Sequence, residues 1–251
     1  IDSEKNFYLS ALPIMYGTAS VGPAGSGGIY KVDKDDWSIS NFITTGNGPN
    51  QIPNSGPGIG NICYDKYNNQ LFATNLEDGK IYRFDMNGNL LSTFDPFAND
   101  NNAIGFAGSG EGLWAINIYS EIGQNPKIYF SLIDLNNLNP SIWSINLDNN
   151  GDFSGNEEFC FEITDGVVSS ISDLTFDSQM NMYLAERGQS NFNNGATYST
   201  HQSRGLKYKF ENNNWVQDEI FYVGAYGYGA NTAGGVALSD KENLSGDVEC
   251  E

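Results

Sequence analysis

A short phrase returns four times along the 251-residue chain, and its spacing limits what such a chain can fold into. The copies are Gly28-Ile-Tyr-Lys-Val-Asp33, Lys80-Ile-Tyr-Arg-Phe-Asp85, Ser141-Ile-Trp-Ser-Ile-Asn146 and Gly205-Leu-Lys-Tyr-Lys-Phe210. Each alternates apolar and polar residues, the pattern of a half-buried strand. An Asx- or Lys-rich turn follows every copy: Lys34-Asp35-Asp36, Met86-Asn87-Gly88, Asn149-Asn150-Gly151 and Glu211-Asn212-Asn213. A second apolar stretch follows the turn. Counted from Ile29, Ile81, Ile142 and Leu206, the intervals are 52, 61 and 64 residues. A repeat of this length built of short strands predicts a radial array of small sheets, an all-β propeller of four-stranded antiparallel blades.

Four strands per blade can be assigned in the middle of the chain. The second blade runs from an inner strand at Asn61–Asp65 through Gln70–Thr74 and Lys80–Asp85 to an outer strand at Leu90–Phe94. The third comprises Gly112–Ile118, Lys127–Leu132, Ser141–Leu147 and Glu158–Ile163. Asp173–Asp177, Met182–Ala185, Gly205–Phe210 and Trp215–Tyr222 make the fourth. Asn-Gly and Asn-Asn junctions supply the positive φ that tight hairpins need. No segment has helical periodicity. Leu12–Tyr16, Gly28–Asp33 and Trp37–Ile43 read as the last three strands of a blade without an inner strand, and Gly235–Ser239 as an inner strand with no blade after it. Residues 1–251 are expected to form one propeller domain with trimmed ends. Either the two ends close a ring of four blades or the chain belongs to a larger one, since propellers hold about 4–8 blades. Asp247-Val-Glu-Cys-Glu251 looks cut in mid-element and favours the larger ring.

Net charge is −19, from 31 acidic and 12 basic residues. Such a surface repels phosphate backbones and anionic headgroups, so neither nucleic acid nor a bare membrane is an expected partner. No apolar run reaches the ~18 residues of a membrane helix. Abundant asparagine and scarce lysine suit an extracellular surface, and the acidity favours cations such as Ca²⁺. Cys63, Cys160 and Cys250 lack metal-ligand spacing. The first two sit in strand patterns, as buried free thiols do.

In an up-and-down blade, loops sort by type onto two faces. Long irregular loops are expected on the face that rings the central channel: Gly17–Gly27, Gly46–Gly60, Phe97–Glu111, Glu121–Pro126, Glu186–Arg204 and Gly224–Gly234. The loop from Glu186 to Arg204 also holds Arg187 and the only histidine, His201. It reads either as an ion pair between Glu186 and Arg204 pinning the loop, or as a cationic spot for a carboxylate, sulfate or sugar acid. Tyr226 and Tyr228 of the glycine-rich loop are candidates for stacking on sugars. Asn61 and Asp173 begin equivalent inner strands, where side-chain oxygens could hold Ca²⁺ in the channel or simply cap strand ends. Asp148, Asn150, Asp152 and Ser154 offer oxygens at alternate positions, a second candidate Ca²⁺ loop, although Asx-rich turns arise for conformational reasons alone. No Gly-x-Ser-x-Gly elbow, His-rich cluster or phosphate-cradling loop is present.

The hairpin at Lys80–Asn89 resembles those of NHL-type and SMP-30/gluconolactonase-like propellers. Ser172–Asp177, Tyr183–Arg187, His201-x-Ser-Arg204 and Ala233-Gly-Gly235 resemble a propeller-like region of very large secreted bacterial surface proteins. The second resemblance implies an extracellular, adhesin-like module within a multidomain protein. It would be a non-enzymatic binder of protein or glycan on a surface, or of other domains of the same assembly. The first leaves open a calcium-dependent lactonase-like hydrolase working at Asn61 and Asp173. A structural spacer in a surface filament is the third expectation.

Overall fold

The computed structural model describes residues 1–11, 21–54, 58–98, 111–121, 123–134, 139–164, 169–191, 197–199, 204–222 and 235–238. Sixteen strands and no helix occur among them. β1 (Phe7–Ser10), β2 (Ile29–Val32) and β3 (Ile39–Ile43) form the first sheet. The second contains β4 (Ile59–Asp65), β5 (Gln70–Asn75), β6 (Ile81–Asp85) and β7 (Leu90–Phe94). The third contains β8 (Glu111–Tyr119), β9 (Lys127–Asp134), β10 (Pro140–Leu147) and β11 (Phe153–Glu162). The fourth runs β12 (Ser169–Phe176), β13 (Met182–Asn191), β15 (Gly205–Glu211) and β16 (Asn214–Phe221), with β14 (Thr197–Ser199) paired to the far end of β13. Every pairing is antiparallel between strands adjacent in the sheet.

Inner strands β4, β8 and β12 pack side by side, and β4 also touches β12. Sheets that radiate from shared inner strands are the blades of a β-propeller, as the repeat predicts. Only a tightly curved array lets the inner strands of blades 2 and 4 meet. The phrase supplies β2, β6, β10 and β15, the third strand of each blade. Its leading residue, Ile29, Ile81, Ile142 or Leu206, is 0% exposed in every copy.

Three apolar clusters fill the spaces between consecutive blades. Ile29, Ile43, Leu71 and Phe84 lie between blades 1 and 2; Phe72, Ile116, Phe130 and Leu147 between 2 and 3; Tyr129, Phe161, Leu184 and Leu206 between 3 and 4. Leu71 and Phe72 adjoin in sequence but enter different clusters, because successive strand side chains point to opposite faces. The middle blades are therefore buried on both faces. The alternation in the phrase separates two interfaces rather than core from water: Arg83, a polar position of β6, is only 8% exposed.

The second strand of blade 1 is Phe7–Ser10, upstream of the expected Leu12–Tyr16; residues 12–16 lie outside the described ones. Its place is set by the turn before it. Asp2 Oδ1 accepts from the Glu4 and Asn6 amides (3.0 and 2.9 Å), and Oδ2 accepts from Asn6 Nδ2 and the Tyr8 hydroxyl (3.0 and 2.9 Å). Asp177 makes the same turn between β12 and β13, accepting from the Gln179 and Asn181 amides, Asn181 Nδ2 and the Tyr183 hydroxyl. Gly235–Ser239 is likewise not the expected strand over 235–238, which carry no strand pairing; Ser239 lies outside the described residues.

Candidate functional site

Each of the inner strands β4, β8 and β12 carries a β-bulge, and in β4 and β8 it turns an amide, that of Asn61 or Ala115, out of the ladder toward a side-chain hydroxyl. Asn61 lies within the β4 bulge and Asp173 directly follows the β12 one. They face each other: Asn61 Nδ2 donates to Asp173 Oδ1 at 2.9 Å and to the Ser172 carbonyl at 3.1 Å. Asn61 Oδ1 accepts from the Ile62 amide (2.7 Å), which fixes the orientation of the side-chain amide. Asp173 also accepts from the Leu174 and Val236 amides (2.9 and 3.0 Å). Burial raises the Asp173 carboxyl above its ordinary range against these three donors. In this arrangement Asn61 turns its amide N–H₂, rather than its oxygen, toward Asp173.

Glu186 and Arg204 close the neck of the long loop as the ion-pair reading expects. Arg204 donates from Nε to Glu186 Oε2 (2.7 Å), from NH2 to Oε1 (2.6 Å) and from its backbone amide to Oε2 (3.0 Å). The Glu186 amide returns a bond to the Arg204 carbonyl (3.0 Å). Both residues are buried, which makes this bidentate pair a structural clasp. Arg187 continues β13, with its side chain outside the described set. His201, Tyr226 and Tyr228 lie outside the described residues.

Asp148, Asn150 and Asp152 form the turn between β10 and β11. Asp148 Oδ1 accepts from the amides of Asn150 and Asp152 (2.8 and 2.9 Å). The backbone bond from Asp152, then that from Asn150, holds the Asp148 carboxyl below the usual range. This turn docks onto blade 2. Arg83 NH1 lies 3.1 Å from Asp152 Oδ1, NH2 donates to the Asn150 carbonyl (2.8 Å), and Nε donates to Gln70 Oε1 (2.7 Å). Gln70 Nε2 in turn donates to the Gly151 carbonyl and to Asp65 Oδ2 (2.9 and 2.8 Å). Of the side-chain oxygens read as candidate calcium ligands, Asp152 Oδ1 is paired with the Arg83 guanidinium and Asp148 Oδ1 accepts backbone amides, while Ser154 belongs to the β10–β11 ladder. Gly151 has φ +71, and a Cβ there would stand 2.3 Å from Gln70 Nε2. Sequence patterning missed Arg83 because a polar residue at an alternating position reads as solvent-facing.

An open cleft of about 420 Å³ separates blades 3 and 4 on the face carrying the inner-to-second and third-to-outer turns. Its apolar lining includes Tyr119, Tyr129, Phe159, Phe210 and Trp215. Trp215 anchors this wall, with ring centroids 5.1 Å from Phe210, 6.0 Å from Phe161 and 6.1 Å from Tyr129. Phe159 and Phe210 remain 57% and 41% exposed, although one packs edge-on against Trp143 and the other against Trp215. Glu121, Gln124, Asn125, Asn213 and Asn214 supply polar groups to the same cleft. Lys127 Nζ and Asn146 Nδ2 both donate to Glu158 (2.7 and 3.2 Å), fixing the floor. Burial pushes the Cys160 thiol up to about 11, so it stays protonated at neutral pH. Glu121–Pro126 is expected among the long loops, yet it joins β8 to β9, an inner-to-second connection, and strand direction places it on this opposite face.

No protein-family model matches the chain, and no curated protein matches it. Among solved structures, the Dos1 propeller aligns over 91% of this chain at 12% identity and a TM-score of 0.45. The chain spans about half of that structure's length, 48%. An endo-arabinase from Bacteroides thetaiotaomicron aligns over 89% of this chain and 79% of its own, at 14% identity and a TM-score of 0.44. A protein of unknown function from Bacteroides caccae aligns over 87% and 77%, at 12% identity and a TM-score of 0.39. None of these likenesses bears on activity.

Proposed function

We propose that this propeller is a non-enzymatic binding module of a secreted or surface-exposed bacterial protein, and that it takes its ligand in the cleft between blades 3 and 4. One observation carries the reading: partly exposed aromatic rings from two blades flank a single opening whose rim holds carboxylate and amide side chains. Apolar walls with a few convergent polar groups are the usual composition of a binding site, and ~420 Å³ falls within the common range of ~300–1,000 Å³. The resemblance of Tyr183–Arg187 and neighbouring segments to large surface proteins supports the extracellular setting, as does the net charge of −19. Calcium is not needed for this reading.

Immobilised protein, challenged with glycan and peptide arrays, tests it. The Phe159→Ala/Phe210→Ala pair should abolish retention of whatever the parent captures. His201→Ala with Tyr226→Ala and Tyr228→Ala should leave it intact. The opposite pattern would move the site to the long-loop face, and turnover of lactones by the purified chain would replace binding with catalysis.

A further inference from the structure

Resting on that reading of the cleft, we infer that the ligand is a neutral carbohydrate chain. It lies across Phe159, Trp215 and Phe210, with its hydroxyls shared among Glu121, Gln124 and Asn213. Three observations converge. Pyranose and furanose rings present C–H faces that pack on aromatic rings, and the cleft offers such rings on both walls. Its polar groups include both acceptors and donors. Among the described residues, the Glu121 carboxylate, the Gln124 and Asn213 side-chain amides and the Trp215 indole N–H make no hydrogen bond. A carboxylate only accepts and an indole only donates. A hydroxyl does both, so a polyol satisfies the whole set.

Aromatic grooves also read proline-rich peptides. Such a chain lacks N–H groups at its prolines and so offers fewer donors to the exposed Glu121 carboxylate than a polyol does. The protein's acidity decides between glycan types: at −19, with Glu121 at the rim and Lys127 already paired to Glu158, uronic or sulfated sugars would be repelled.

The test follows the Trp215 indole N–H by NMR, assigned with Trp215→Phe, while neutral and acidic oligosaccharides and a proline-rich peptide are titrated separately. A neutral hexasaccharide should shift this resonance and show a Kd that rises about tenfold or more in Phe159→Ala and in Phe210→Ala, the size expected for one lost ring contact. Glu121→Gln should weaken the same ligand without unfolding the protein, since that side chain has no structural partner. A shift produced by the peptide or only by acidic sugars would overturn the carbohydrate inference while leaving the cleft as the site. If a captured ligand leaves Trp215 unmoved, both readings fall.

Discussion

The buried charges of this chain hold blades and loops together. Arg83 ties β6 to the turn at Asp148–Asp152 with two donors and to Gln70 on β5 with a third, and Arg83→Met should cost about 2 kcal/mol in urea unfolding through the carbonyl and Gln70 left without partners. Glu186→Ala should cost about 3–5 kcal/mol by removing the bidentate partner of a buried Arg204, whereas a Glu186→Met/Arg204→Met double variant should cost less than that single change. A double variant as unstable as the single one would show that the pair contributes more than mutual satisfaction. Asp173 gives a pH signature. Its carboxyl is raised in the folded state, so its ionisation opposes folding, and its contribution improves as pH falls through the folded value toward 3.8. The stability of the parent relative to Asp173→Asn should therefore be greater near pH 4 than at pH 7. A constant difference would contradict the burial of that carboxyl.

At the scale of elements, one stitch is repeated between blades. Thr74 on β5 accepts from the Asn61 amide (3.0 Å) and donates to the Trp114 carbonyl of the next inner strand. Ser131 on β9 accepts from the Ala115 amide (2.8 Å) and donates to the Ile171 carbonyl (2.7 Å). Each hydroxyl satisfies a bulge amide and bridges two blades. Thr74→Val and Ser131→Ala should each cost about 1–3 kcal/mol by leaving those buried groups unpaired. Gly60 matters for the same junction: a Cβ there would lie 2.9 Å from the Trp114 backbone, so Gly60→Ala should force blades 2 and 3 apart and lower Tm.

The strands and Asx turns were legible in the sequence because period 2 and Asp-rich punctuation are local signals. The stitch was not, since a Thr or Ser in a strand says nothing of the carbonyl it meets 40 residues on. Asn61 and Asp173 could be matched by repeat alignment, but their mutual bond depends on how tightly the inner strands curve. Blade 1 departs from the expected assignment because Asp2-x-x-x-Asn6 is an inner-to-second turn equivalent to Asp177-x-x-x-Asn181, a feature that apolar alternation does not carry.

Across the whole molecule, the repeat locates the scaffold and the irregular sequence draws attention to the long loops. The cleft lies on the other face because two ordinary turns, one after Tyr119 and one between Phe210 and Trp215, come from different blades and flank a gap that neither reveals alone. That juxtaposition is a tertiary fact, written in no single segment. Its aromatics looked like routine strand residues, and only their exposure in the assembled disc distinguishes them. Hydrogen–deuterium exchange on the protein with and without its captured ligand tests this placement most directly. Protection should concentrate in residues 119–127, 144–160 and 210–215, with little change at 186–204 and 223–234; protection centred on the two long loops would contradict it.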